Sequence, residues 1–328
     1  MASGQERVLR RRIKSIQSTK KITRAMELIA ASRIVKAQGR VAAARPYAEQ
    51  ITEVIANLAA GGAGTGHPLL AERQIVATVG FVVVAADRGL AGAYNSTVIR
   101  TAERAIMATQ AAGQDYALLV AGRKAEGYFR YREYAIAEAF SGFSEQPTYE
   151  DARRVAAAAM GRYESGAIDQ VRLIYTKFLS MGTQKVIDTR LLPLERDAMA
   201  GPTADSAHGG PTADYEFEPE PGAILGRLLP RYVEARVFAA LLDAAASEQA
   251  ARQRAMKAAT DNAEELIRSL SIVANKVRQA GITTEIMEIV GGAEALRQAQ
   301  TGGVDLLIDS ATRQDTFSDV LSQTGAHR

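Results

Sequence analysis

Nine residues, Asp87-Arg88-Gly89-Leu90-Ala91-Gly92-Ala93-Tyr94-Asn95, stand between an apolar, β-branched run and a helical pattern. In strand-to-helix units this is the place of a phosphate loop, whose backbone N–H groups cradle oxygen atoms. The spacing here is different. There is no GxGxxG, and no Gly-Lys followed by Ser or Thr. Gly89 and Gly92, with Asp87 and Asn95, predict instead a tight structural turn that packs a helix closely on its strand. Other chemistry is no better supplied. His67, His208 and His327 lie far apart among glycine, proline and polar residues and share no ligand spacing. The absence of cysteine excludes a disulfide framework, a thiolate metal site and a cysteine nucleophile, and it fits a reducing compartment. No carboxylate pair or Ser/His/Asp set has catalytic spacing. The residues therefore predict no catalytic, cofactor-binding or metal-ligating site.

Charge is the stronger signal. The net charge is only +3, yet residues 7–40 carry eleven Lys/Arg (7, 10, 11, 12, 14, 20, 21, 24, 33, 36 and 40) against one acid, Glu27. Residues 195–222 reverse this, with seven acids against Arg196. So many like charges in one helix repel one another, which points to an acidic counterpart. Nucleic acid is one candidate and a cavity lined by acidic protein loops is another. No aromatic residues interleave with the basic ones to stack bases, which weakens the first. The basic start, MASGQERVLRRRIK, has no apolar core behind it and does not read as a secretory signal. No run approaches 18 uncharged apolar residues, so membrane association is expected only through partners.

The elements that must position these residues are mostly helical. From Glu6 to Leu58 an apolar stripe reads Ala30, Ile34, Ala37, Val41, Ala44, Ala48, Ile51, Ile55, Leu58, with steps of four and three. That is a heptad seam on a helix of about 75 Å, with Pro46 expected to disturb it locally. From Arg252 a second seam reads Met256, Ala259, Ala263, Leu266, Leu270, Val273, Val277, Ala280, Thr284, Met287. Each stripe is narrow, and neither helix is stable alone at such length. The simplest burial is mutual. Residues 1–60 and 223–296 are expected to form a long antiparallel coiled coil, slim because alanines fill both seams. Met256 and Val273 are expected in that seam.

Between them, residues 73–195 alternate strand and helix: strand 75–86, helix 96–112, strand 116–121, helix 123–132, weak strand 134–140, helix 149–164, and strands 171–178 and 184–194. This predicts a Rossmann-like α/β domain. Residues 196–222 read as an acidic, proline-rich loop, and 297–328 as a tail that is disordered or carries a short amphipathic element.

Four segments carry a resemblance. Ile13 to Ser32 (IKSIQSTKKITRAMELIAAS), Asp87 to Asn95, Ala255 to Ala263 (AMKAATDNA) and Ile286 to Leu296 (IMEIVGGAEAL) resemble, in order, the opening helix, central turn and C-terminal helix of F-type ATP synthase gamma subunits. Ala91 and Ala93 stand where that family often has Cys and Gly, and Thr284 where it often has Gln. The resemblance implies a rotor without catalytic residues or cofactors. It would turn inside a ring of alpha and beta subunits, above the c-subunit ring and beside epsilon, with no nucleic acid. It would lie on the cytoplasmic face of the bacterial cell membrane. The resemblance also implies beta-subunit contacts at Lys20, Lys21, Arg24, Met26, Arg252, Arg278, Gln279 and Thr283, and a bearing at Ile286, Ile289 and Val290.

Overall fold

The structure, a computed structural model, describes residues 2–60, 67–194 and 221–322. The acidic run of residues 195–220 lies outside them, as do the side chain of Leu58 and those beyond residue 299. Two units compose the chain: residues 21–261, and residues 1–20 with 262–328.

The larger unit is built on a five-stranded sheet. Its strands are β1 (Thr78–Val84), β2 (Asp115–Ala121), β3 (Ile136–Phe140), β4 (Gln170–Phe178) and β5 (Gln184–Leu192), in the order β3-β2-β1-β4-β5. β1 pairs in parallel with β2 and β4, and β2 with β3, while β5 closes one edge antiparallel to β4. The parallel pairs need crossover helices, supplied by α2 (Tyr94–Ala111), α3 (Arg123–Tyr131) and α4 (Tyr149–Glu164). β1 is buried from Val79 onward but still sorts its side chains by twos. Phe81 and Val83 face Val98, Ile106 and Phe129 of α2 and α3. Val82 and Val84 face Ala152 and Val155 of α4, together with Ile51, Ile55, Leu229 and Val233. Both terminal helices, α1 (Ala2–Ala60) and α5 (Pro221–Ser322), thus enter the core on one sheet face.

The α1 stripe is where the spacing puts it. Ala30, Ile34, Ala37, Ile51 and Ile55 are buried and Val41, Ala44 and Ala48 half-buried. Pro46 faces solvent, and the helix runs through it without a break. Within the larger unit the two helices run antiparallel. Thr23 Oγ1 and Thr260 Oγ1 lie 2.8 Å apart, Arg45 faces Asp243, and Ile55 shares a cluster with Leu225. At the seam, added volume has nowhere to go. Ala30→Leu is expected to cost about 1–3 kcal/mol by overpacking, read as a lower urea midpoint with unchanged slope.

The α5 stripe differs from expectation at every second position. Met256 and Ala263 are buried and Leu270 and Val277 half-buried, as the spacing predicts. The alternate places fall one residue later, at Thr260, Ile267, Ala274 and Gly281, leaving Leu266 and Val273 about half exposed. Counting large apolar residues favours Leu266 and Val273. Close backbone approach favours the small Ala274 and Gly281, and Thr260 has Thr23 to bond.

In the smaller unit, Glu6, Leu9, Ile13, Ile16 and Lys20 are the half-buried positions of α1. Lys20 Nζ lies 3.1 Å from Glu264 Oε2. Eighteen residues back from Lys20 is Ala2, where α1 starts, and eighteen forward from Glu264 is Ile282. The α5 seam stops there. From Ile282 to Ala299 every side chain is exposed, so the expected seam residues Thr284 and Met287 lie in the open. The helix itself does not end near Leu296 but continues to Ser322.

Candidate functional site

The turn between β1 and α2 is a structural knot. Asp87 accepts backbone N–H bonds from Arg123 (3.2 Å), Gly142 (2.8 Å) and Ser144 (3.1 Å), which ties three strand ends together. Asn95 Oδ1 accepts from Ala86 N at 2.9 Å, and its amide donates to Arg88 O at 3.3 Å. Both carboxylate oxygens of Asp87 and both ends of the Asn95 amide are thereby occupied by backbone groups of this chain. Gly92 sits at φ +56, and a Cβ there would meet Ala255 of α5 at 3.6 Å. At Gly122 a Cβ would stand 2.2 Å from Ala85 O, so only glycine fits where β2 leaves the sheet beside β1.

Behind the turn lies a buried ionic cluster. Arg252, 6% exposed, donates from Nη2 to Glu248 Oε1 at 2.6 Å and to Gly89 O at 3.3 Å. Glu248 is 1% exposed. Glu145, from the loop before α4, gathers Arg33 of α1 at 2.5 Å, Arg88 of the turn at 3.7 Å and Arg252 of α5 at 3.9 Å. Burial pushes the Glu248 carboxyl up, Arg252 pulls it back, and Glu145 adds to the rise. Tyr94 beside it is pushed well above the ordinary phenol value, again by burial first and Glu248 second. A buried pair bonded in this way holds one geometry, because each charge is costly without the other. Arg252, expected on the partner surface, is therefore an internal anchor, drawn inward by Glu248 and the carbonyl of Gly89. Arg33, Glu145 and Glu248 were not singled out from the sequence. The available signal was Glu248, a lone acid four residues before Arg252 in an alanine-rich run.

The remaining expected contacts are on the surface. In the larger unit Lys21 and Arg24 are exposed, Arg24 holds Glu27 at 2.9 Å, and Met26 is half-buried. In the smaller unit Lys20 is partly engaged by Glu264. Arg278, Gln279 and Thr283 are exposed, and Thr283 Oγ1 donates to Gln279 O at 2.9 Å. Ile286 (54%), Ile289 (72%) and Val290 (60%) are open to solvent with Met287 (69%) and Leu296 (69%). Such a run of apolar side chains, uncovered among the described residues, is a surface suited to a partner. Among the described residues no helix is long and apolar enough to cross a membrane.

A family model described as ATP synthase matches residues 5–296. The chain belongs to the ATP synthase gamma-chain family. The ATP synthase gamma chain of Frankia casuarinae is 52% identical over 298 residues, covering 90% of this chain and 98% of the relative. That of Mycolicibacterium smegmatis is 48% identical over 304 residues, covering 88% and 97%. Two solved structures share the fold. A chain of the Euglena gracilis mitochondrial ATP synthase OSCP/F1/c-ring assembly aligns with a TM-score of 0.64 at 16% identity, over 91% of this chain and 96% of that one. A chain of the Tetrahymena thermophila mitochondrial ATP synthase central stalk and c-ring aligns at 0.55 and 24%, over 73% and 99%. The family match covers α1 from residue 5, the turn, and α5 as far as residue 296. The anchor at Arg252 and the open run after Ile282 thus belong to the family-matched part of the chain.

Proposed function

We propose that this chain is the central-stalk rotor subunit of an F-type ATP synthase. It carries rotation of the c-subunit ring to the catalytic alpha/beta hexamer and itself catalyses nothing. The observation that carries this reading is the solvent-open apolar stretch of α5 from Ile282 to Leu296. A single helix of that kind is marginal in water and needs a sleeve. Gamma-chain membership supports a ring of alpha and beta subunits as that sleeve. Ile286, Ile289 and Val290 form the low-friction bearing. Below them Arg278, Gln279 and Thr283, with Lys20, Lys21, Arg24 and Met26 on α1, meet acidic loops of the beta subunits. Rotation then changes which face each catalytic site meets. Its affinity for nucleotide shifts by differential contact. The sheet unit sits on the c-ring beside epsilon, at the cytoplasmic face of the bacterial membrane.

The chain has no cysteine, so Arg278→Cys gives it a single thiol. In the assembled complex, a disulfide from that thiol to an engineered beta-subunit cysteine is expected to stop ATP turnover, and reduction to restore it. Full turnover with the crosslink in place removes the rotary reading. Failure of the tagged chain to bring down alpha, beta and epsilon subunits removes the assembly reading.

A further inference from the structure

The order of strands reverses at β1. β2 and β3 lie to one side of it, and β4 and β5 to the other. In open α/β sheets such a reversal leaves a crevice beyond the carboxyl ends of the two central strands. Here β1 and β4 pair as far as Val83 and Ile174, and β4 then runs on. Thr176 thus has no β1 residue across from it. A crevice of about 400 Å³ opens at this point, with the start of α2 on one side and Arg254 of α5 on another. That volume is in the range of small-molecule sites.

The polar groups left without partners around the crevice are donors. Thr176 is 5% exposed, and its hydroxyl has no hydrogen-bond partner among the described residues. A buried hydroxyl in that state is costly until an acceptor reaches it. α2 starts here, with Ala93 as its N-cap residue and no side chain capping it. The N–H groups of Gly92 and Ala93 make no hydrogen bond among the described residues. Gly92 at φ +56 followed by Ala93 at φ −84 is an alternation that turns successive N–H groups towards one point. Arg254 is the one charged residue among those lining the crevice. Neutral oxygens hold its guanidinium: Met181 O at 3.1 Å, Gly182 O at 2.5 Å and Gln184 Oε1. No carboxylate pairs with it among the described residues, and Glu248, beside Tyr94, is already taken by Arg252. An uncapped helix start, a buried hydroxyl without an acceptor and a cation without a counter-ion together select an anion with several oxygens. Val186 and Ala251 give the rest of the crevice an apolar lining for a small uncharged body.

We propose that the crevice at the carboxyl ends of β1 and β4 is a binding site for small phosphate monoesters. The phosphoryl oxygens accept from the Gly92 and Ala93 N–H groups, the Thr176 hydroxyl and Arg254. The body of the ester lies against Val186 and Ala251. No phosphate-loop spacing marks the site, because two of its donors come from β4 and α5. This inference stands on the crevice alone and not on the rotary reading.

The test is calorimetric titration of the full chain with phenyl phosphate, benzoate and benzyl alcohol, three probes that share a ring. Phenyl phosphate is expected to bind about tenfold more tightly than benzoate, and benzyl alcohol not measurably. Arg254→Gln should weaken phenyl phosphate about tenfold, whereas Arg104→Gln, further along α2, should leave it unchanged. Thr176→Val keeps the shape of the side chain. A hydroxyl with a purely structural role would alter only the urea midpoint. Here the affinity for phenyl phosphate should fall about fivefold while the midpoint holds or rises. No binding of phenyl phosphate, benzoate binding as tightly, an equal loss in Arg104→Gln, or an unaltered affinity in either Arg254→Gln or Thr176→Val would each overturn the proposal.

Discussion

Arg252→Ala is expected to lower the stability of the chain by about 3–5 kcal/mol, the cost of leaving one member of a buried pair uncompensated. The reason is local. Glu248 is 1% exposed, and Arg252 is its close ionic partner at 2.6 Å. The loss should depend on pH. The Glu248 carboxyl already titrates above its ordinary value because burial outweighs the guanidinium. A folded value above the unfolded one gives stability that is complete at low pH and lost as pH rises through the folded value. Without Arg252 the folded value climbs further, so the variant should be weaker at pH 8 than at pH 5.5. Glu248→Leu with Arg252→Met, which removes both charges and fills the space, should recover most of the loss. Urea midpoints at the two pH values measure all of this. An Arg252→Ala midpoint within about 1 kcal/mol of the parent would mean that the cluster is solvated and does not anchor the turn.

The second large effect is on coupling. Arg278→Ala with Gln279→Ala is expected to leave the complex assembled but to lower ATP-driven proton pumping about tenfold, the worth of roughly 1.4 kcal/mol of lost contact. Both residues are exposed, so their removal should leave the fold intact. They stand in the last stretch of α5 that α1 still supports, just before the helix runs on alone. A charge and an amide held there on a braced segment can be pushed by a moving loop without bending the helix. Pumping and hydrolysis in membrane vesicles, with subunit ratios on gels, check it. An unchanged ratio of pumping to hydrolysis would detach these two residues from the beta-subunit contact.

These two predictions differ in how far the sequence could reach them. Arg278 and Gln279 came from a resemblance in the chain itself, and the structure adds that they are on the surface. Arg252 came from the same resemblance, yet the structure turns it inward. Its spacing from Glu248 shows that the two can meet on one helix face. It does not show that the Asp87–Asn95 turn and Glu145 close over that face.

The heptads on α1 and the strand-helix alternation of residues 78–192 were both legible in residue order. Each depends on a local period or on composition, and apolar stripes of period 3.5 or 2 declare which face is buried wherever the partner lies. What faces what was decided only by tertiary structure. The α5 seam took Thr260 over Ala259 because Thr23 offers it a hydroxyl to bond, and Ala274 over Val273 because a small residue lets the backbones approach. Beyond Gly281 the described α5 side chains are all exposed. The inward turn of Arg252 depends on segments distant in sequence meeting in space. No periodicity within any one of them encodes that meeting.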